Sequence, residues 1–243
     1  MNLPKIDVAT HQAVIPSTKK EITIRPFLVK EQKILLTALT GEDPEDIATA
    51  TKQIVNNCIV TPGIDIDKLE IFDLEYLILQ LRIVSVGDST KIRFMPRENT
   101  NCSDCKKHRE VEINLREAAV DVSNLPEKKV QLTDKIGLML RYPTTKMLGK
   151  IETAKKSSDP NDFFNIIWSC IECVYDDDKV ISTKDVSLKE GLDFLESLNS
   201  QQFIKIEQFL TSMPKLQQKI NVKCKSCEFE QDFVLTGLEN FFA

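Results

Sequence analysis

Two pairs of cysteines, Cys102-Ser103-Asp104-Cys105 and Cys224-Lys225-Ser226-Cys227, constrain this chain more than any other feature. Thr90-Lys91-Ile92-Arg93-Phe94 and Val111-Glu112-Ile113-Asn114-Leu115 flank the first pair as strand-like runs, and Ile220-Asn221-Val222-Lys223 and Gln231-Asp232-Phe233-Val234-Leu235 flank the second. A Cys-x2-Cys in the turn of a hairpin is a metal knuckle, and two knuckles supply the four thiolates of a tetrahedral zinc site. The spacing therefore predicts one structural zinc shared by Cys102, Cys105, Cys224 and Cys227, with iron as the alternative occupant of the same thiolate geometry. Two separate or incomplete sites, and metal-free thiols, are the competing readings. A shared site requires two hairpins far apart in the chain to face each other, and with all four ligands from protein it leaves no open position for catalysis.

The rest of the chain reads as the same programme run twice. His11 to Val14 and Glu21 to Ile24 alternate on either side of Pro16-Ser17-Thr18-Lys19-Lys20, which predicts a hairpin. Lys30 to Thr40 has helical spacing and stops at Gly41, and a second helix opens at Asp43-Pro44-Glu45-Asp46 and runs to Cys58. Asp43 is placed to cap and Pro44 occupies the first turn, where its missing N–H costs nothing. Leu69 to Arg82 is the most apolar helix, expected to pack beneath the first knuckle hairpin. After a polar stretch come Ile136 to Arg141, a strand ending in arginine like Ile22 to Arg25, and then Asp159-Pro160-Asn161-Asp162, which stands as far beyond Arg141 as Asp43 does beyond Arg25. A helix from Phe163 to Tyr175 follows, then amphipathic helices from Leu188 to Leu198 and Gln202 to Met213, then the second knuckle. Past the knuckles Ile113 matches Leu235 and Glu117 matches Glu239. The reading is an α+β chain of two related halves, 1–119 and 130–243, joined by a linker over 120–129. Each half carries a strand or hairpin, several helices and a Cys-x2-Cys hairpin, and a zinc-ribbon-like site joins the two. A single mixed domain with two unrelated hairpins is the alternative.

The remaining chemistry-bearing residues read more simply. Cys170 and Cys173 form a third Cys-x2-Cys, but inside the predicted helix they share one face and are expected as buried apolar thiols. When the two Asp-Pro starts are aligned, Cys58 falls one position from Cys173. His108 follows the first knuckle, yet Glu230 holds its place in the second, so it reads as a surface histidine. Lys106, Lys107, His108, Arg109, Lys223 and Lys225 surround the knuckles and are expected to offset the thiolate charge. Asp176-Asp177-Asp178 lacks calcium-loop spacing and reads as a solvated turn between helices.

Composition narrows the function classes. The chain has 243 residues, a formal net charge of -5, seven cysteines, two histidines and seven scattered glycines. That leaves little imidazole for acid–base work and no phosphate-cradling loop, so no enzyme is indicated. The acidic balance and thin aromatic content near the knuckles disfavour nucleic acid. No apolar run approaches the roughly 20 residues of a membrane span, so no membrane is expected. The N-terminus lacks the layout of a signal peptide, so the odd cysteines read as thiols or metal ligands in an unexported chain.

Several stretches together resemble the T-even-type myophage baseplate protein family. They are Pro16-Ser17-Thr18, Ile24-Arg25-Pro26-Phe27-Leu28-Val29-Lys30-Glu31-Gln32-Lys33-Ile34-Leu35-Leu36, Phe72-Asp73-Leu74-Glu75-Tyr76, Phe194-Leu195-Glu196-Ser197-Leu198, Met213-Pro214-Lys215-Leu216 and Leu238-Glu239-Asn240-Phe241-Phe242. The resemblance implies a non-enzymatic protein of central hub assembly, with hub subunits or hub assembly factors as partners. It also implies the host cytoplasm during assembly, or the virion tail baseplate, as the location. The zinc rests on cysteine spacing and not on this resemblance. The N-terminal hairpin, the segment Arg25 to Lys33 and the tail Leu238 to Phe242 are the expected contact surfaces, the apolar tail being either tucked into the core or kept for a partner. The alternative function is a nucleic-acid-binding zinc-ribbon regulator, and a thiol–disulfide enzyme using one Cys-x2-Cys is a third.

Overall fold

A computed structural model of the chain describes residues 6–41, 43–94, 101–177, 179–224, 226–227 and 229–241, with backbone alone at Leu35, Leu39, Arg109, Glu239 and Asn240. Strands β1 (His11–Val14) and β2 (Glu21–Ile24) form the first antiparallel hairpin, with Ala13 opposite Ile22. Helices α1 (Val29–Gly41) and α2 (Pro44–Cys58) follow, the second opened by the Asp43 side chain accepting the Glu45 N–H at 2.8 Å.

Helix α3 (Ile71–Val86) is the centre of the molecule. Leu74, Leu77 and Leu81 join a core with Ile15, Ile22, Ile24, Val55 and Cys58. Phe72 joins a second core with Leu138, Leu140, Tyr142, Ile167 and Phe209, and Leu79 and Ile83 join a third with Ile92, Ile113, Ile220 and Phe241. A helix that serves three cores needs apolar residues all round, which is why this stretch reads as the most hydrophobic in the sequence. It packs under the first knuckle hairpin, as its apolarity suggested, and under the second as well. Its buried Asp73 accepts the Ser17 N–H at 2.8 Å and the Ser17 hydroxyl at 2.6 Å, tying the first hairpin's turn to the start of the helix.

Strands β3 (Ser89–Phe94) and β4 (Arg109–Asn114) form the first knuckle hairpin. Beyond it lie β5 (Ala119–Val120), β6 (Lys129–Gln131) and β7 (Ile136–Leu140). The ends of the expected linker, Val120 and Lys129, thus lie in strands, and only the residues between them lack regular structure. Helix α4 (Leu148–Lys156) and helix α5 (Pro160–Ser169) come next, α5 capped by Asp159 accepting the Asn161 N–H at 2.9 Å.

Here the structure corrects the sequence reading. The helix expected to reach Tyr175 ends at Ser169, and β8 (Ile171–Asp176) and β9 (Lys179–Ser182) complete a four-stranded antiparallel sheet in the order β6-β7-β8-β9. Ile171, Val174 and Tyr175 are β-branched or aromatic, and a full ladder against β7 outweighs the helical spacing of the apolar residues before them. Cys170 therefore caps a helix and Cys173 lies in a strand, so the two share no helix face. Asp176 and Asp177 turn between strands rather than between helices, and Asp178 lies outside the described residues. Helices α6 (Leu188–Glu196) and α7 (Ser200–Thr211), each opened by a capping box, lead to β10 (Leu216–Lys223) and β11 (Glu230–Thr236), which form the second knuckle hairpin with β5 added at the β10 edge.

The two arginines that the sequence aligned make the same bonds. The Arg25 N–H donates to Cys58 O at 2.9 Å and its guanidinium to Asn57 O at 2.8 Å, while the Arg141 N–H donates to Cys170 O at 2.8 Å and its guanidinium to Ser169 O at 2.9 Å. Ile24 bridges Ile59, and Leu140 pairs with Ile171. Each arginine thus fastens a strand end to a helix C-terminus, where a cation also meets the favourable end of the helix dipole. By this geometry the counterpart of Cys58 is Cys170 and not Cys173, because α5 has 10 residues against 15 in α2. Among the described residues no helix is long and apolar enough to cross a membrane.

Candidate metal centre

The two knuckles meet at the tips of their hairpins. The registers pair Phe94 with Arg109 at the end of the first ladder and Lys223 with Glu230 at the end of the second, which projects both Cys-x2-Cys turns beyond the sheets. Underneath, the Phe94 and Phe233 rings pack edge to face with centroids 5.0 Å apart, joining one hairpin to the other. Ile92, Ile113, Ile220 and Val222 carry the same contact down to α3.

At the tip, the sulfur atoms of Cys102, Cys105, Cys224 and Cys227 all lie within 4.8 Å of one another. Cys102 Sγ is 4.0 Å from Cys224 Sγ, and Cys105 Sγ is 3.5 Å from Cys227 Sγ. Cys105 and Cys224 are buried, Cys102 is half-buried and Cys227 is exposed, so the cluster sits at the surface with one edge open. The sulfurs lie in the fields of turn amides. The N–H groups of Ser226 and Cys227 outweigh desolvation at Cys224 and, with hydrogen bonds from the neighbouring thiols, bring its pKa down to about 6. Cys102 is lowered in the same way, chiefly by the Cys105 N–H. A turn that favours the thiolate favours metal, because the ligand is the deprotonated sulfur. These four residues can hold a metal ion.

The contacts at the tip also join residues of matching position. Cys102 and Cys224, Cys105 and Cys227, and Asp104 and Ser226 are each 122 positions apart, and each pair touches, the last through the Ser226 hydroxyl donating to the Asp104 carboxylate. Lys107 adds an ion pair to Asp104 at 3.2 Å.

The other candidates lie elsewhere. His108 is exposed and outside the cluster. Cys170 is fully buried and its pKa is pushed up to about 12 by desolvation, and Cys58 is pushed up to about 11 for the same reason. Those two thiols stay protonated in their apolar cores, whereas Cys173 is half-buried in β8 beside Ser182. Phe241, from the tail, is 1% exposed in the core beneath the knuckles, and Phe242 lies outside the described residues. Sequence reasoning missed the arginine clamps as contacts, although the matched placement of Arg25 and Arg141 ahead of Asp43 and Asp159 was the signal. The buried carboxylate of Glu31 accepts from Arg25 at 2.9 Å and from the Leu28 N–H at 2.8 Å, so the Arg25 and Glu31 side chains of the Arg25 to Lys33 segment are engaged within the fold, whereas Leu28, Val29, Lys30, Gln32 and Lys33 are exposed.

Comparison with known proteins adds the context that geometry lacks. The sequence model of a family described as T4 bacteriophage base plate protein matches residues 8–243. The baseplate hub assembly protein gp26 of Enterobacteria phage T4 is 26% identical over 223 residues, covering 92% of this chain and 93% of that protein. No solved structure matches.

Proposed function

Because this chain belongs to the T4 bacteriophage base plate protein family, we propose that it is a non-enzymatic structural protein that assembles the central hub of a contractile-tail baseplate through protein–protein contacts. The observation that carries this reading is coverage. The likeness to a hub assembly protein runs through nearly all of both chains, so it concerns the whole architecture and not one shared module. Its partners on this reading are hub subunits or other hub assembly factors, met in the host cytoplasm during assembly or in the tail baseplate. Neither the family nor the relative lends support to the nucleic-acid-binding alternative. A tagged chain isolated from infected cells should bring hub proteins with it, and loss of the chain should leave tails without complete hubs. Normal hubs in its absence would overturn the reading.

The four knuckle cysteines are the proposed ligands of one structural zinc. Cys102, Cys105, Cys224 and Cys227 fit it by number, by chemistry and by their mutual approach. Bound there, the ion would supply no catalytic position and would clasp two hairpins that the sequence separates. Lys106, Lys107 and Lys223 surround the tip and offset the excess negative charge of a four-thiolate centre. Metal analysis of purified protein should give one zinc per chain, and iron in that place would change the identity of the ion without changing the role.

The two halves, 1–119 and 130–243, are on the same reading copies of one unit. Contact between residues of equal position is what a twofold axis produces at an isologous interface, and three such contacts surround the thiolates. The shared bonding of Arg25 and Arg141 supports the same relation away from the axis. The zinc would then lie on the pseudo-twofold axis. Superposition of one half on the other in an experimental structure tests this directly.

A further inference from the structure

Among the described elements, helix α1 packs extensively on α2 alone, so one long side of it faces solvent. Glu31, Ile34 and Ala38 lie on the inner side and are buried or half-buried. Val29, Lys33, Leu36 and Thr40 follow one another at a 4-3-4 spacing, which aligns them in one stripe on the outer side, and all four are exposed. Val29 is 79% exposed and Leu36 66%, and among the described residues no other helix has two large apolar side chains so open. A solvated helix in this place needs none. Helix α4, which stands between Arg141 and Asp159 as α1 stands between Arg25 and Asp43, exposes Lys150, Thr153, Lys155 and Lys156 and keeps Leu148, Ile151 and Ala154 half-buried.

Charge narrows what can cover this stripe. Lys33 stands within it, between Val29 and Leu36, which are about 10 Å apart along the helix axis. Among the described residues Lys33 forms no ion pair, Lys30 is exposed nearby, and Glu31, the one acid of the helix, is turned inward to Arg25. The outer face therefore carries two positive charges and no negative one, on a chain whose formal net charge is -5. A bilayer would have to take in Lys33 together with the apolar residues, whereas an interfacial helix keeps its cations on the face away from them. A second α1 in a twofold contact would set one lysine stripe against another, and like charges opposed across an interface are costly. A helix with apolar residues at the matching spacing and a carboxylate between them meets both demands.

We propose that the outer face of α1 docks an acidic amphipathic helix of a baseplate hub protein, whose apolar side chains cover Val29 and Leu36 and whose carboxylates meet Lys33 and Lys30. Only the partner's source rests on the hub reading above. The spacing and the sign of the charge are the chain's own. The face is also held in place before any partner arrives, because the Glu31 carboxylate ties the first turn of α1 to Arg25 and to the Leu28 N–H, and the Phe27 N–H donates to the Ser85 hydroxyl of α3 at 3.1 Å. A surface fixed in this way gives up little freedom on binding.

The test places benzoylphenylalanine at position 32, at the edge of the stripe, in the full chain in infected cells and maps the photocrosslinks by mass spectrometry. The expected crosslink is to an acidic amphipathic helical segment of a hub protein. Lys33→Glu should lower co-isolation of that protein at least tenfold and Leu36→Ser severalfold, at unchanged melting temperature and metal content, while Lys189→Glu, an exposed charge reversal on α6, leaves it intact. Changing the facing acid of the crosslinked segment to lysine should restore co-isolation by Lys33→Glu, an outcome that a folding defect would not give. Crosslinks to a second copy of this chain alone or to a basic segment, co-isolation by both variants at the wild-type level, or binding of the purified chain to phosphatidylglycerol vesicles that Leu36→Ser abolishes would each overturn the docking site while leaving the hub reading standing. A wild-type chain that co-isolates no hub protein would overturn the hub reading itself, and with it the proposed source of the helix.

Discussion

Replacing Arg25 with methionine tests how the first half is held together. The Arg25 side chain is 15% exposed and its partner Glu31 is fully buried, with Nη2 2.9 Å from Oε1 and Nη1 3.4 Å from Oε2. The same guanidinium serves Pro26 O and Asn57 O at 2.9 and 2.8 Å. Burial alone would raise the Glu31 pKa, but the hydrogen bonds from Arg25 and the Leu28 N–H, with the charges of Arg25 and Lys30, hold it below the ordinary 4.5. Arg25→Met leaves that carboxylate buried with the Leu28 N–H and the exposed Lys30 ammonium at 3.6 Å as its remaining partners, and breaking a buried pair in this way costs up to about 3–5 kcal/mol. Arg141→Met offers the contrast. Met147 stands where Glu31 would, so the change abandons no acid at that position and loses chiefly the charged hydrogen bonds to Ser169 O, about 1.5–3 kcal/mol, with a lesser attraction to Glu70. Adding Glu31→Leu to Arg25→Met removes the stranded charge and should recover about half or more of the loss, since apolar replacement of a buried pair is often close to neutral. Urea unfolding at pH 7 with saturating zinc measures all three. The wild-type contribution of the pair is fully present above pH 4.5 and is lost as pH falls through the lower folded value, so the gap between wild type and Arg25→Met should narrow in acid. A cost below about 1 kcal/mol for Arg25→Met, or no rescue by Glu31→Leu, would refute the assignment of this clamp.

Three further outcomes follow from the same geometry. Cys105→Ser should abolish stoichiometric metal and lower the melting temperature, whereas Cys58→Ser should leave the metal in place, as read by metal analysis and thermal melts. Burial raises the Glu70 carboxyl to about 7, opposed by Lys128 and Arg141 and aided by Asp73. Its contribution is thus greatest below the unfolded value near 4.5 and is lost as pH rises through about 7, so Glu70→Gln should gain stability over wild type at pH 8 but not at pH 4, in melts across that range. Gly191→Ala would put a Cβ 2.2 Å from the Trp168 ring, where α6 rests on α5, and overpacking of this kind should cost about 1–3 kcal/mol in urea unfolding.

Local signals in the sequence carried far where the chemistry is local. An Asp-Pro start needs only its own turn, and both caps form as read. The four knuckle cysteines come together because hairpin turns place them, and the hairpins themselves follow from alternation around the turn. The second-half sheet was not legible in the same way. Ile166-Ile167-Trp168 is helical and Ile171-Glu172-Cys173-Val174 is a strand, yet the apolar run passes from one to the other without a proline or glycine. What ends the helix is a ladder to β7, more than thirty residues earlier in the chain, and no local residue announces it. That is also why Cys58 was aligned with Cys173: the shortening of α5 appears only when Arg141 is seen bonded to Cys170 O.

The position of the thiolates shows what a metal bound there would contribute. Helix α3 supplies apolar contact to three cores, but its reach ends with Leu79 and Ile83 at the base of the two knuckle hairpins. Farther out, Phe94 packs against Phe233 between the hairpins, and beyond that contact the described turn residues are mostly polar, among them Ser103, Asp104, Lys106 and Ser226. Such tips cannot hold each other by apolar burial, because they offer too little area to offset the conformational entropy of ordering two turns. Four thiolates closing on one ion would supply in a small volume the contact that side chains there cannot. A cross-link between residues 122 positions apart also restricts the unfolded chain far more than a local one does.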